Sequence, residues 1–366
     1  MTCNIHCISC YNINHEYIKT AEEIFSEIDL GLQKRHADTV SLLGGEPILH
    51  PDILRIVRYI KSKKAVCQLL TNGYYFFSDP EDKMLDQLIE SGLDRLILHI
   101  DRGQTVYKDA VQVIHSLLKK LERKKILVSV SWTVYREGQG ELPELIRAFS
   151  PYRNFDGFLS VLAKDIDKAI QPGYDRGDSP DMLDEYKALR KELGLEPSVY
   201  LPSNLSDNHI KWFLYVYYIN HNTGNTFYIS PAITRIFQSQ YLRVVLRVFF
   251  RKRLNRKSLY PALFLTAMLE TLIKPERIND FFRLVKDSGR LRYIKMLYLN
   301  LQDGPEYDNE SGDIAMCYHC PDATVRNGKL TPVCLADRIN PLPGSHPPDR
   351  IPGNLYSLVY QHLGQV

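Results

Sequence analysis

The chain has 366 residues, enough to bury a substantial core in one large domain with an appendage. Its 44% hydrophobic and 24% charged content excludes a disordered chain. A net charge of +3 gives no basis for general nucleic-acid affinity, and no apolar run approaches the ~20 residues of a membrane-spanning helix.

The first segment, MTCNIHCISC, places Cys3, Cys7 and Cys10 together. Chain ends fray, so three buried structural thiols are a poor explanation there, and a metal centre is the better one. No signal-like run stands ahead of Cys3, so the expected compartment is the cytoplasm, where clustered cysteines point to metal or catalysis rather than disulfides. From about residue 37, short apolar strands alternate with amphipathic helices. ADTVSLLGGEP reads as a strand and PDILRIVRYIKSK as a helix opened by proline. AVCQLLTNG, LDRLILHID, ILVSVSWTVY and FDGFLSVL are further strands, separated by the helices DKMLDQLIESG, VYKDAVQVIHSLLKKLERK and ELPELIRAFS. SPDMLDEYKALRKELG carries a capping box and closes this unit. Such alternation implies parallel strands with crossover helices, in an open sheet or a barrel.

Beyond about residue 200 the pattern changes. HIKWFLYVYYIN is rich in aromatics, while SLYPALFLTAMLETLI and ERINDFFRLVKDSGR read as helices. In YLRVVLRVFFRKRL, Arg243, Arg247 and Arg251 recur on one helical face opposite apolar residues. Packing against the main body with a solvated basic edge is the favoured reading of that segment, and contact with a membrane surface or a lipidic substrate the less favoured one. The last sixty residues return to short strands around Cys317, Cys320 and Cys334.

The first spacing is C-x3-C-x2-C. Thiolates suit zinc, copper(I) or iron–sulfur clusters, but structural zinc wants four ligands and commonly C-x2-C pairs. Three thiolates are what a 4Fe–4S cube needs if one iron is to stay open, with zinc or an inert thiol set as the alternative.

CNIHCISC resembles the cluster-binding loop of the radical SAM superfamily, and LLGGEP resembles the GGEP segment of that family. The resemblance implies that Cys3, Cys7 and Cys10 hold a 4Fe–4S cluster that binds S-adenosylmethionine (SAM). Gly44, Gly45, Glu46 and Pro47 would then grip its methionyl amino group, with Glu46 adding negative charge near the ammonium. Thr71, Asn72 and Gly73 in LLTNG, and Asp101 in HID, resemble cofactor contacts at later strand ends, where the family often has serine in place of His99. For these polar strand-end residues a turn or cap is the competing role. The resemblance covers roughly residues 1–165. Only two residues precede Cys3, whereas the family places a strand before the loop; either the chain starts further upstream or the barrel is completed differently. The fold implied is α/β: a partial (β/α)6 TIM-like barrel with a helical insertion and a small C-terminal cluster-binding domain. The expected division is a core over 1–200, a helical and substrate-related segment over 201–305, and an auxiliary domain over 306–366.

CYHCPDATVRNGKLTPVC reads Cys317-x2-Cys320-x13-Cys334, with RNGK as a hairpin turn between the second and third thiols. Zinc, with His319 or a distant residue as fourth ligand, is one reading. The spacing also resembles the auxiliary 4Fe–4S cluster of the molybdenum-cofactor enzyme that rearranges GTP, and more loosely the twitch and SPASM extensions. The function expected from these resemblances is reductive SAM cleavage to a 5′-deoxyadenosyl radical that abstracts hydrogen from a small-molecule, lipid or peptide substrate. An electron donor such as ferredoxin or flavodoxin is implied. The alternatives are a peptide-modifying SPASM-type maturase, or a non-catalytic iron–sulfur or zinc protein that carries electrons or scaffolds a partner. Cys67 lies in a strand and is expected in the core.

Overall fold

The structure, a computed structural model, describes residues 3–8, 10–13, 17–35, 37–79, 81–177, 179–238, 256–286, 291–317 and 320–343. After the cysteine loop comes α1 (Ala21–Lys34), started by a capping box in which the Thr20 hydroxyl accepts from the Glu23 N–H and Glu23 answers to Thr20. Then β1 (Thr39–Leu42), α2 (Ile53–Ser62), β2 (Val66–Thr71), α3 (Tyr74–Ser78), α4 (Lys83–Glu90) and β3 (Arg95–His99) follow. The alternation continues through α5 (Ala110–Leu121), β4 (Leu127–Val134), α6 (Leu142–Phe149) and β5 (Phe155–Leu162). Strands β1 to β5 pair in sequence order and all in parallel. Their inward residues, among them Leu69, Leu96, Leu98, Val130 and Phe158, form the main core with the apolar faces of the helices. Cys67 belongs to that core, and burial pushes its thiol up to about 12.

Past β5 run α7 (Ile166–Ala169), α8 (Met182–Leu193) and β6 (Val199–Pro202). Asp181 caps α8 by accepting from the Leu183 N–H, and Gly194 ends it in a left-handed conformation. The aromatic segment then forms β7 (Ile210–Asn220), hairpinned to β8 (Thr226–Tyr228). Helices α9 (Pro231–Gln238), α10 (Arg256–Ile273) and α11 (Ile278–Lys286) lead to β9 (Ile294–Gln302). β9 is the sixth parallel strand, lying beside β5 and carrying β7 antiparallel on its other side. Residues 201–305, expected as a helical segment, thus contribute β7, β8 and β9 to the sheet, with the helices inserted between β8 and β9. The reason is in the residues: β-branched and aromatic side chains line Ile210–Asn220 and suit a pleated, buried surface. The basic segment around Arg243, Arg247 and Arg251 lies outside the described residues.

The result is a mixed α/β sheet with a parallel arc of six strands, consistent with a partial TIM-like barrel. Among the described residues no pairing joins β1 to β6, so the arc is not closed. The hairpins β10 (Glu306–Asp308) with β11 (Asp313–Ala315), and β12 (Ala323–Arg326) with β13 (Lys329–Pro332), form the C-terminal part, which ends in the short helix α12 (Ala336–Ile339). Asn327 and Gly328 both take positive φ at the tip of the second hairpin, the turn that RNGK predicts. No helix among the described residues is long and apolar enough to cross a membrane.

Candidate metal and cofactor site

Parallel α/β units place their reactive groups at the carboxyl ends of the strands. The first cysteine loop lies across the ends of β1, β2 and β3. Asn72, just past β2, donates through Nδ2 to Asn4 Oδ1 at 2.7 Å and lies 3.8 Å from Cys3 Sγ. Gln104, beyond β3 and fully buried, donates to the His99 carbonyl at 2.8 Å and stands 3.5 Å from Cys7 Sγ. The Ile8 N–H donates to the Gly103 carbonyl at 3.2 Å, and Cys7 forms an isolated β-bridge with Gln104. A Cβ on Gly103 would sit 1.9 Å from Tyr135 Oη, so a larger residue there would require the Tyr135 side chain to move.

Cys3 and Cys10 are exposed and Cys7 is half-buried. Desolvation lifts the Cys7 thiol to about 11, and Gln104 opposes that only in part; the neighbouring thiols and Asp101 push the same way as burial. Crowding around the Cys10 sulfur raises its pKa too, with Cys3 contributing. The three sulfurs therefore sense one another across a common space that opens to solvent.

Glu46 is 3% exposed and occupied internally. One carboxylate oxygen accepts from the Ile48 N–H at 3.2 Å and the other from the Asn72 N–H at 2.8 Å, while the Thr71 hydroxyl also bonds to it. Burial raises its pKa against those hydrogen bonds. Glu46 thus bridges the end of β1 to the end of β2 and caps the single turn Pro47–Leu49. Gly44 and Gly45 are half-exposed on the strand-end turn before it. Thr71 Oγ1 accepts from the Gly73 N–H, and Gly73 adopts φ +76°, where a Cβ would meet Ile100 Cδ1 at 2.8 Å. Asp101 is buried and accepts from the Gly103 N–H at 2.8 Å, so it fixes the turn that presents Gly103 and Gln104 to the cysteines. Gln104 carries no local sequence signal, because its partner lies 97 positions away.

The second cysteine set is more enclosed. Cys317 bridges to Ser203, and Asn204 pins the preceding backbone, accepting from the Met316 N–H at 2.8 Å and donating to the Ile314 carbonyl at 3.1 Å. Cys320 is 7% exposed, and Arg35 of α1 donates to its carbonyl at 2.7 Å. The Cys320 thiol hydrogen-bonds Cys317, holding Cys317 below and Cys320 well above the ordinary thiol range. Burial lifts Cys334 to about 12, with Cys317 adding to it. Cys320 feels both Cys317 and Cys334, so the three thiols are neighbours; His319 lies outside the described residues.

Beside them sits a buried charge cluster. Lys211 donates to Asp303 at 2.9 Å, Glu306 at 2.7 Å and the Gly304 carbonyl at 3.1 Å. Lys164 contacts Asp303 and Glu306 at 2.7 Å each and Gly304 at 3.3 Å. Burial would raise both carboxyls, but Lys211 and Lys164 hold Asp303 low, and His209 and Lys211 hold Glu306 low. Lys211 thus has three hydrogen-bond acceptors, Lys164 has two and an ion contact with Asp303, and Arg176 pairs with both carboxylates as well. His209, Asp303 and Glu306 have ligand atoms within 4.8 Å of one another, but these cations already fill the space a metal ion would take.

Both cysteine sets offer soft donors of the kind that iron–sulfur clusters use. Among the described residues, neither set brings its three sulfurs within 4.8 Å of one another. The donor chemistry of both sets suits an iron–sulfur cluster.

Comparison with known proteins agrees at the N-terminal half. Residues 1–148 match the family model of the radical SAM superfamily. A putative glycyl-radical enzyme activating enzyme of Methanocaldococcus jannaschii is 33% identical over 116 residues, covering 30% of this chain and 44% of that protein. A GTP 3′,8-cyclase of Microcystis aeruginosa is 35% identical over 113 residues, covering 27% of this chain and 31% of that one. The crystal structure of Streptococcus suis SuiB bound to S-adenosylmethionine aligns at TM-score 0.35 with 17% identity, over 45% of this chain and 39% of that one. The chain spans less than half the length of these curated relatives. The strand ends and their thiols define a mixed α/β protein with two sets of soft thiol donors. Over residues 1–148 the chain is similar to the radical SAM superfamily.

Proposed function

We propose that this chain is a radical SAM enzyme whose Cys3, Cys7 and Cys10 hold a 4Fe–4S cluster with one iron left for SAM. The observation that carries this reading is the set of three mutually sensed thiols open to solvent at the carboxyl ends of β1–β3. When bound, the cluster supplies the electron that breaks the C5′–S bond of SAM and yields a 5′-deoxyadenosyl radical for hydrogen abstraction. The protein's own part is positional. Gln104 and Asn72 hold the loop by its sulfurs and the Asn4 side chain, Asp101 sets the turn under Cys7, and Glu46 locks the Gly44–Pro47 segment to Thr71 and Asn72. In this reading Gly44, Gly45 and Pro47 shape the wall for the methionyl group, and Glu46 acts mainly through that wall.

Cys317, Cys320 and Cys334 hold a second 4Fe–4S cluster in the same reading, supported by their soft donor set and by the perturbation of each thiol by its neighbours. GTP does not transfer from the cyclase relatives as substrate. Arg326, the arginine between Cys320 and Cys334, is buried and donates to Asp337 at 3.0 Å, so it is not free to meet a triphosphate. The substrate is a small molecule, lipid or peptide, the electron comes from a ferredoxin- or flavodoxin-type donor, and the setting is the cytoplasm. The test is anaerobic reconstitution, then reduction with SAM present and measurement of 5′-deoxyadenosine. Release from the native chain and none from the Cys3, Cys7, Cys10→Ala variant is expected; release that survives the triple change refutes the assignment.

A further inference from the structure

We infer that Asp337 and Arg338, which follow the second cysteine set in sequence, are positioning residues that clasp the first cysteine loop at its Cys10 end; this rests on the function proposed above. Arg338 is 3% exposed. Its Nη1 donates to the Tyr11 carbonyl at 2.6 Å and its Nε to Asp167 Oδ1 at 2.5 Å. Asp337 Oδ2 accepts from the Ile13 N–H at 3.3 Å, and its Oδ1 accepts from Arg326 at 3.0 Å. The grip therefore falls on backbone one and three residues past Cys10, from side chains more than 320 positions away.

The clasp has a firm base. Helix α12 follows directly on the turn Val333–Leu335 that carries Cys334. Leu335 and Ile339 pack with Ile166, Ile170, Ile314 and Met316 in a small core of their own. Strand β12 adds Arg326 from the side. The beginning of the loop is tied to β2 and β3 through Asn72 and Gln104, so its two ends hang from different parts of the molecule. Charge-assisted bonds to buried guanidinium and carboxylate groups are the stronger kind, which suits them to hold a segment so near the terminus. The second cysteine turn is in this way a structural support of the first site.

The test uses metal-free full chain under a brief iodoacetamide pulse, with alkylation at each cysteine read by peptide mass spectrometry. Arg338→Met should raise the Cys10 rate several-fold while Cys3 stays unchanged, and Arg338→Lys should fall between. Ile13→Pro, which removes the N–H donor without touching α12, guards against a variant that fails to fold; it should act in the same direction. In reconstituted protein the same variants should lose part of the change that SAM produces in the electron paramagnetic resonance spectrum. An unchanged Cys10 rate in the folded variants overturns the clasp. A native chain that binds no SAM at its cluster overturns the function instead, and the alkylation result still decides the clasp.

Discussion

Cys3 and Cys10 stand exposed near the strand ends, whereas Cys320 is buried and Cys317 and Cys334 are half-buried, with Arg35, Asn204 and a buried charge cluster beside them. Around the first set, the polar neighbours brace one another and leave the space beyond the sulfurs open. Beside the second, the Lys211 ammonium is already engaged by three acceptors within the protein. The difference teaches what each site is fitted for. A centre that must accept a cofactor from solvent needs rigid walls and an open side, while an enclosed centre is matched to a fixed structural or electron-carrying duty.

The contrast can be broken most severely at the second set. Replacing Cys317, Cys320 and Cys334 with alanine should leave about half the iron and sulfide. Release of 5′-deoxyadenosine should persist, uncoupled from substrate turnover. Stoichiometric zinc with a single cluster in the native protein would instead make that region a structural zinc site.

Lys211→Met attacks the enclosure rather than the thiols. It removes a fully buried ammonium and leaves Asp303 and Glu306 to Lys164 and Arg176, at a cost of up to about 3–5 kcal/mol in a denaturant titration. A loss under 1 kcal/mol would mean the cluster is not what holds β5, β7, β9 and β10 together.

The smallest effect is expected at the brace of the open site. Glu46→Gln keeps the shape but loses the charged acceptor for Ile48 and Asn72, each such bond being worth about 1.5–3 kcal/mol. SAM affinity should fall roughly tenfold with the iron content unchanged. Unchanged affinity would reduce the GGEP segment to a turn.

Strands β1 to β5 were legible because buried parallel strands separated by amphipathic helices leave a plain periodicity. The RNGK turn was equally plain, since two consecutive positive-φ residues call for Asn-Gly. Helix α1 went unassigned although Thr20 and Glu23 spell its capping box. The mixture of strand and helix over 201–305 was masked by aromatics that suit either a strand or a buried helix. The bracing of Cys7 by Gln104 and of Tyr11 by Arg338 has no local signature at all; such pairs exist only once the chain has brought distant segments together.

The central claim, an open first centre and an enclosed second one, is tested most directly by electron paramagnetic resonance of the reduced, fully reconstituted protein with and without SAM. Two cluster signals are expected, and SAM should shift the one that disappears in the Cys3, Cys7, Cys10→Ala variant while leaving untouched the one that disappears in the Cys317, Cys320, Cys334→Ala variant. A shift confined to the second signal, or none in either, would contradict the account.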